Sequence, residues 1–353
     1  MIRCTTCLYP ISKPDLVFSE TGECSACLAY KARPEIDWDA RKLELIDLLD
    51  RHHGSCIVPS SGQKDSTAQV VKLKELGAHV TTVTATTCHL TVIGRKNIDN
   101  LARIADRTIE VTPNKLVRVK LNRLGLELVG DVSHPEHMAI FTTPFRVAVD
   151  MRIPLIFYGE NPQSQYGGPQ GSEQAKQMTS RWVSEFGGFL GLRPKDFVGM
   201  EGITENDMRD YMPPRLDNVE AHFLGQYLPW DSHENAALAI SHGMQYEVPC
   251  NANWWPWENL DNAQTGIHDH MMWLKYGYGR ACAQLSVDIR PGRIPRENAL
   301  IEIDKRDGLF PFVYAGVKVQ DMLDRIGMDL KELFVIMDRF TNKKIHDGVQ
   351  FKD

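Results

Sequence analysis

The sequence predicts an α/β fold in which a parallel sheet is covered by helices on both faces. A small cysteine-rich module precedes the sheet, and a helical, loop-rich region follows it. Three observations carry this reading. Short apolar runs alternate with helical patterns between Ser55 and Tyr158; four cysteines crowd into residues 1–27; and beyond about residue 160 the alternation gives way to stretches rich in Gln, Gly, Pro and Trp. Strands separated by helices of this length need crossover connections, which place neighbouring strands parallel and cover both faces.

Taken in order, the pattern places a strand at 56–58, a helix at 66–76, a strand at 79–85, a helix at 95–105 and a strand at 108–111. Helices over 115–128 and 136–150 and a strand at 154–158 complete the series. A helix at 38–51, carrying Leu43, Leu45, Ile46, Leu48 and Leu49, leads in, and later helices are expected at 232–242, 266–282 and 319–327. The chain of 353 residues thus divides into a knuckle with little helix (1–35), an α/β domain (36–165) and a C-terminal region (166–353) that completes the site.

Composition narrows the function. With 42% hydrophobic and 24% charged residues the chain is of the globular class, and its net charge of −6, with no Lys/Arg block, disfavours nucleic acid as a partner. The start resembles no signal peptide and no segment offers a continuous apolar span, so a cytoplasmic protein acting on a small molecule is expected.

Cys4, Cys7, Cys24 and Cys27 form C-x2-C-x16-C-x2-C. Two such pairs can chelate one tetrahedral Zn²⁺ in a closed, structural site. A reducing compartment disfavours two disulfides, and an iron–sulfur cluster uses the same ligands. Cys56, Cys88, Cys250 and Cys282 are scattered.

The most informative stretch is I-V-P-S-S-G-Q-K-D-S at 57–66, where an apolar strand runs through a small polar turn into a helix. Backbone N–H groups and the positive end of the helix then face an anion, with the Ser61 and Ser66 hydroxyls and the Lys64 charge beside them. The spacing is too short for the G-x4-G-K-[ST] loop. It resembles the S-G-G-x-D-S loop of the PP-loop ATP pyrophosphatases, the adenine nucleotide alpha hydrolase-like fold, with Gln63 where that loop has its second glycine. A glycine there would permit a positive φ or a close phosphate approach.

Further segments make the chain similar to the N-acetyl sugar amidotransferases, which form acetamidino sugars for surface polysaccharides such as lipopolysaccharide O-antigen. They are I-G-R-K-N-I-D-N at 93–100, F-Y-G-E-N at 157–161, Y-G-G at 166–168, Y-L-P-W-D at 227–231, K-Y-G-Y-G-R at 275–280 and D-I-R-x-G-x-I-x-R at 288–296. The resemblance implies that ATP is bound by Ser61, Gly62, Gln63, Lys64, Asp65, Ser66, Val83, Thr84, Ala85 and Gly159, with Lys64 and Asp65 catalytic and Asp65 and Glu160 holding Mg²⁺. The acetamido oxygen of a sugar or nucleotide sugar would be adenylated, and ammonia would then displace AMP. The resemblance also implies a partner glutaminase and a cyclase-type subunit like those of histidine biosynthesis; the chain's own cysteines lie in no glutaminase context.

Tyr166, Lys275, Arg280 and Arg290 fall within these motifs and are expected at the substrate, with Arg293 and Arg296 in the same basic stretch; local ion pairs are the alternative. Trp254, Trp255 and Trp257 can stack on a ligand or pack in the core. His134, His137, His268 and His270 show no metal-ligand spacing. Two other readings stand beside this one: a tRNA-thiolating PP-loop enzyme, and a degenerate PP-loop scaffold.

Overall fold

The computed structural model describes residues 1–168, 175–178, 189–214 and 218–346. Its centre is a five-stranded, all-parallel sheet of order β3-β2-β1-β4-β5, formed by β1 (Ser55–Pro59), β2 (His79–Ala85), β3 (Arg107–Val111), β4 (Leu155–Tyr158) and β5 (Glu220–Phe223). The order reverses direction between β1 and β4, and at such a switch point the connections leave to opposite sides and open a crevice beyond the strands' carboxyl ends.

The alternation of side chains along each strand serves two cores. Cys56, Val58, Val80, Leu155 and Phe157 pack with Leu45 and Leu48 of α2 (Trp38–Arg51) and with Val70 and Leu73 of α3 (Lys64–Glu75). On the other face, Ile57, Val83, Ile156 and Tyr158 meet Phe145, Val147 and Ala148 of α6 (His134–Met151). Helix starts follow local chemistry: Asp37 accepts from Ala40 N at 2.9 Å to cap α2, and Thr91 accepts from Gly94 N at 2.9 Å to cap α4 (Val92–Ile104).

The C-terminal region is tied into this frame. Leu126, at the end of α5 (Lys115–Val129), and Val132 share a core with Ile267, Met271 and Leu274, and with Leu323, Leu333 and Met337. The cysteine module, which includes the short helix α1 (Ser25–Lys31), packs on the same region. Leu8 and Tyr9 share a core with Tyr278, Cys282 and Ala299, and Leu8 N donates to Ser286 Oγ at 3.2 Å. The first residues of the chain therefore lie against residues near its end.

Some expectations are corrected. The helix expected at 266–282 is two, Thr265–Tyr276 and Arg280–Ile289, because Gly277 takes the left-handed conformation (φ +76°) that ends the first, and Gly279 precedes the second. The knuckle contains α1, and α3 begins at Lys64, which puts Lys64 and Asp65 in its first turn. The strand β5 and the helices Arg296–Arg306 and Leu330–Phe340 were not anticipated. Among the described residues no helix is long and apolar enough to cross a membrane.

Gly130 marks the seam between the two regions. It ends α5 at φ +63°, and a Cβ there would come within 2.9 Å of the Phe340 ring and 3.0 Å of Met271 Cε. Gly130→Ala is expected to lower stability by about 1–3 kcal/mol in urea unfolding, since it adds left-handed strain to a packing clash.

Candidate nucleotide site

The β1–α3 turn shapes the site. Ser60 N donates to Val83 O at 2.8 Å, which anchors the turn to β2, and Gly62 N donates to Ser60 Oγ at 3.0 Å. Gly62 is the residue that must be glycine: its φ is +76°, and a Cβ would meet Ile98 N at 2.5 Å. At Gln63 the backbone is ordinary, with φ −93°, so its side chain causes no strain. The Gln63 side chain does not cap α3, which leaves a helix start of the kind that binds anions.

Gln63 instead reaches across the molecule. Its Nε2 donates to Asp261 Oδ1, and its Oε1 accepts from Leu260 N at 3.0 Å, so one amide fastens the turn to a segment almost 200 residues away. Gln63 is a cross-link. Burial pushes the Asp261 carboxyl up to about 6, with the Gln63 hydrogen bond working against that rise.

Lys64 is only 3% exposed and is surrounded by carboxylates. Asp65 Oδ2 pairs with it directly, and Glu258 Oε1 stands 4.0 Å away. Burial disfavours its charge, but the fields of Asp65, Glu258 and Glu160 outweigh that and hold its pKa above the ordinary range. Glu160, just past β4, pays the converse penalty: burial and then the Asp65 charge push its carboxyl up to about 7, with Lys64 offsetting part of this. One ammonium thus faces three carboxyl groups, an excess of negative charge suited to a divalent cation with hard oxygen ligands.

Beside this centre opens a cleft of about 870 Å³, its mouth included, lined by Ser60 and Ser61 of the turn, by Val83, Thr84 and Ala85 at the end of β2, by Arg118 and Glu136, and by Asp261. Its walls are largely apolar, as those of small-molecule sites are. Gly159 stands at the end of β4, where a Cβ would come within 2.9 Å of the Trp230 ring.

The expected substrate residues do not share one surface. Tyr166 OH lies 3.5 Å from Glu258 Oε1, and Gln284 Nε2 donates to Glu258 Oε2 at 2.6 Å, so Tyr166 belongs to the Lys64 centre. Arg280 forms a two-pronged pair with Asp269 at 2.9 and 2.6 Å. Lys275 donates to Val129 O and Gly130 O, both at 3.1 Å, at the end of α5. Arg290 stacks over Tyr9, 5.8 Å from the ring centre, beside the cysteines. Of the other basic residues, Arg293 pairs with Asp231 and Arg296 donates to Cys4 O at 3.0 Å. Trp255 and Trp257 stack at 4.6 Å inside the fold, and Trp254 and Trp255 both donate to Asp288.

Cys4, Cys7, Cys24 and Cys27 are all buried, and their sulfurs lie within 4.8 Å of one another. The separations Cys4–Cys27 and Cys7–Cys24 are 4.0 and 3.6 Å, close to the ~3.8 Å edge of a tetrahedron with ~2.3 Å Zn–S arms. Thr6 N, Cys7 N and Cys24 N all point at Cys4 Sγ, at 3.4, 3.4 and 3.2 Å, as donors to a thiolate. Hydrogen bonds from Cys24 and Cys27 bring the Cys7 thiol down to about 7, and the Arg290 charge acts in the same sense. The set is able to hold a metal such as zinc.

Glu258, Asp261, Arg118 and Glu136 were not identified from the sequence. Glu258 and Asp261 stand in W-W-P-W-E-N-L-D at 254–261, read only for its tryptophans.

That stretch lies in a segment with known relatives. Residues 245–352 match a family model described as "LPS biosynthesis protein WbpG-like, C-terminal domain". This stretch of the chain is therefore similar to the C-terminal domain of the WbpG-like proteins. No curated protein matches the chain. The WbpG-like domain supplies Glu258, Asp261 and Gln284 to the centre whose other half is the β1–α3 turn, so the two halves meet at Lys64 and Gln63.

Two outcomes follow. The folded state binds the Glu160 proton more tightly than the unfolded chain does, so the stability this contributes is present at low pH and is lost as pH rises from about 4.5 through about 7. Without nucleotide or Mg²⁺, Glu160→Gln should therefore raise Tm by about 2–4 °C at pH 8, with the gain vanishing toward pH 5, as read by calorimetry. Cys24→Ser should remove the metal seen in elemental analysis and lower stability, because ligation contributes to folding.

Proposed function

We propose that this WbpG-like protein is an ATP-dependent amidotransferase that converts an acetamido group of a surface-polysaccharide sugar precursor to an acetamidino group, releasing AMP and pyrophosphate. The observation that carries the reading is the Lys64 centre: a buried lysine with three carboxyl groups, at a sheet switch point, beside a helix start that Gln63 does not cap and a cleft with apolar walls. In this reading Ser61, Gly62, Lys64 and Ser66 hold the pyrophosphate portion of ATP, and the adenosine lies along Val83, Thr84 and Ala85. Asp65 and Glu160 hold Mg²⁺, with Glu258 facing the same point; Mg²⁺ supplies neutralisation of the charge that develops on the leaving pyrophosphate.

The acetamido oxygen attacks the α-phosphorus, pyrophosphate leaves, and ammonia then adds to the imidate carbon and expels AMP together with that oxygen. Positioning and charge neutralisation supply most of the acceleration. Tyr166 and Arg280, which flank Glu258, would face a sugar bound beyond the phosphates. The ammonia comes from a partner glutaminase, with a cyclase-type subunit completing the assembly. The cysteine module has a structural role, holding zinc against the WbpG-like domain.

The thiolation alternative needs a reactive thiol near the nucleotide. Burial pushes Cys56 up to about 12 and Cys250 to about 11, and raises Cys88 and Cys282 as well, so none of the four is poised as a thiolate.

Incubation with ATP, Mg²⁺, ammonium and a panel of acetamido sugars should yield AMP, pyrophosphate and a product about one mass unit lighter, as exchange of O for NH requires. Lys64→Ala and Asp65→Asn should each reduce AMP formation by about 10²-fold or more with the fold retained. Gln63→Gly should lower kcat/KM by about tenfold or more, because it removes the tie to Asp261 and Leu260. Wild-type activity in Gln63→Gly would show that the glutamine merely fills the glycine position.

A further inference from the structure

Asp131, His137 and His268 converge at the seam between the sheet domain and the WbpG-like domain, and no role assigned so far uses them. Asp131 follows Gly130 at the end of α5 and is 2% exposed. Its Oδ1 accepts from Ser133 N at 2.9 Å and lies 2.8 Å from His268 Nδ1. Its Oδ2 lies 3.2 Å from Nδ1 of His137, on α6, yet among the described residues that nitrogen makes no hydrogen bond of acceptable geometry. The two imidazoles meet edge to face, 5.2 Å between centres, and the three ligand atoms lie within 4.8 Å of one another.

We propose that Asp131, His137 and His268 form a second metal site, for a divalent transition-metal ion, distinct from the four-cysteine site. The chemistry is that of two nitrogen ligands and one carboxylate, a set that suits zinc and its first-row neighbours and leaves coordination positions open for water or a ligand. His268 Nδ1 stands 2.8 Å from Oδ1 and His137 Nδ1 3.2 Å from Oδ2, so both imidazoles already face the carboxylate that would hold the ion. A cation held there would place a full charge beside a carboxylate removed from water. Ser133 N already donates to the carboxylate and fixes its orientation. Both histidine side chains are about a quarter exposed, at 28% and 26%, which leaves a path for entry.

The placement gives the site a consequence. Asp131 and His137 belong to the α5–α6 corner, and α6 also lines the nucleotide cleft with Glu136, Ala139 and Ile140. His268 belongs to the WbpG-like domain. An ion held by all three pins that domain to the helix bordering the cleft. The inference is independent of the reaction proposed above.

The test uses the full chain carrying zinc at its cysteines. Elemental analysis after equilibration with Zn²⁺ should give two ions per chain, falling to one in His137→Gln and in His268→Gln, with both variants checked for native circular dichroism. Titration with Co²⁺ should show one saturable equivalent with weak visible bands and no thiolate charge-transfer band. The same ion should protect His137 and His268 of the wild type from diethyl pyrocarbonate, mapped by peptide mass, which locates the site even where a variant does not fold. No saturable ion beyond the cysteine site, a second ion that persists in both folded variants, or saturation without protection of the two histidines would overturn the proposal.

Discussion

The buried charge of Lys64 is the constraint around which this molecule is arranged. An ammonium removed from water is tolerated only beside anions, and here they come from three parts of the chain: Asp65 in the same helical turn, Glu160 beyond β4, and Glu258 in the WbpG-like domain. Each imposes a structural demand. Asp65 requires α3 to start at the loop, Glu160 requires β4 to lie beside β1, and Glu258 requires the C-terminal domain to dock over the crevice. Burial and then the Asp65 charge push the Glu160 carboxyl up, and the excess of carboxyl groups over ammonium leaves the centre prepared for a cation.

Docking of the WbpG-like domain is secured at several separate places. Gln63 bridges to Leu260 and Asp261, Lys275 closes the end of α5, and the cysteine module braces the far side through Leu8, Tyr9 and Arg296. Arg290 balances the thiol cluster from that side, so a residue whose motif pointed to substrate stands where it can offset the charge of a metal–thiolate site. Stability and function are linked here through shared residues: the polar contacts that hold the domain down also shape the cleft.

How legible this was depended on sequence distance. The parallel sheet followed from local alternation, and the loop at 57–66 and the four cysteines are contiguous patterns whose chemistry can be read without a fold. β5 was not legible, because E-A-H-F is four residues long and half polar. The break at Gly277–Gly279 was marked by its glycines, but an apolar pattern running through it masked them. Glu258, Asp261 and the Asp131–His137–His268 group were beyond reach for another reason: their partners lie far away in the chain, and nothing local distinguishes a carboxylate that meets Lys64 from one that meets water. Gln63 shows this most clearly, since it looks like a lost glycine in its motif and is a cross-domain hydrogen-bonding residue in the fold.

In the reaction proposed here ATP activates the substrate's own oxygen rather than being hydrolysed. The most direct test of this is oxygen tracing. An acetamido sugar labelled with ¹⁸O at the amide carbonyl is turned over with ATP, Mg²⁺ and ammonium, and the products are examined by mass spectrometry. The account predicts one ¹⁸O atom in the phosphate of AMP and none in pyrophosphate, because the bond formed at the α-phosphorus is the one AMP retains when nitrogen displaces it. Amidine formed with unlabelled AMP, or with the label in a phosphate released from the β or γ position, would contradict it.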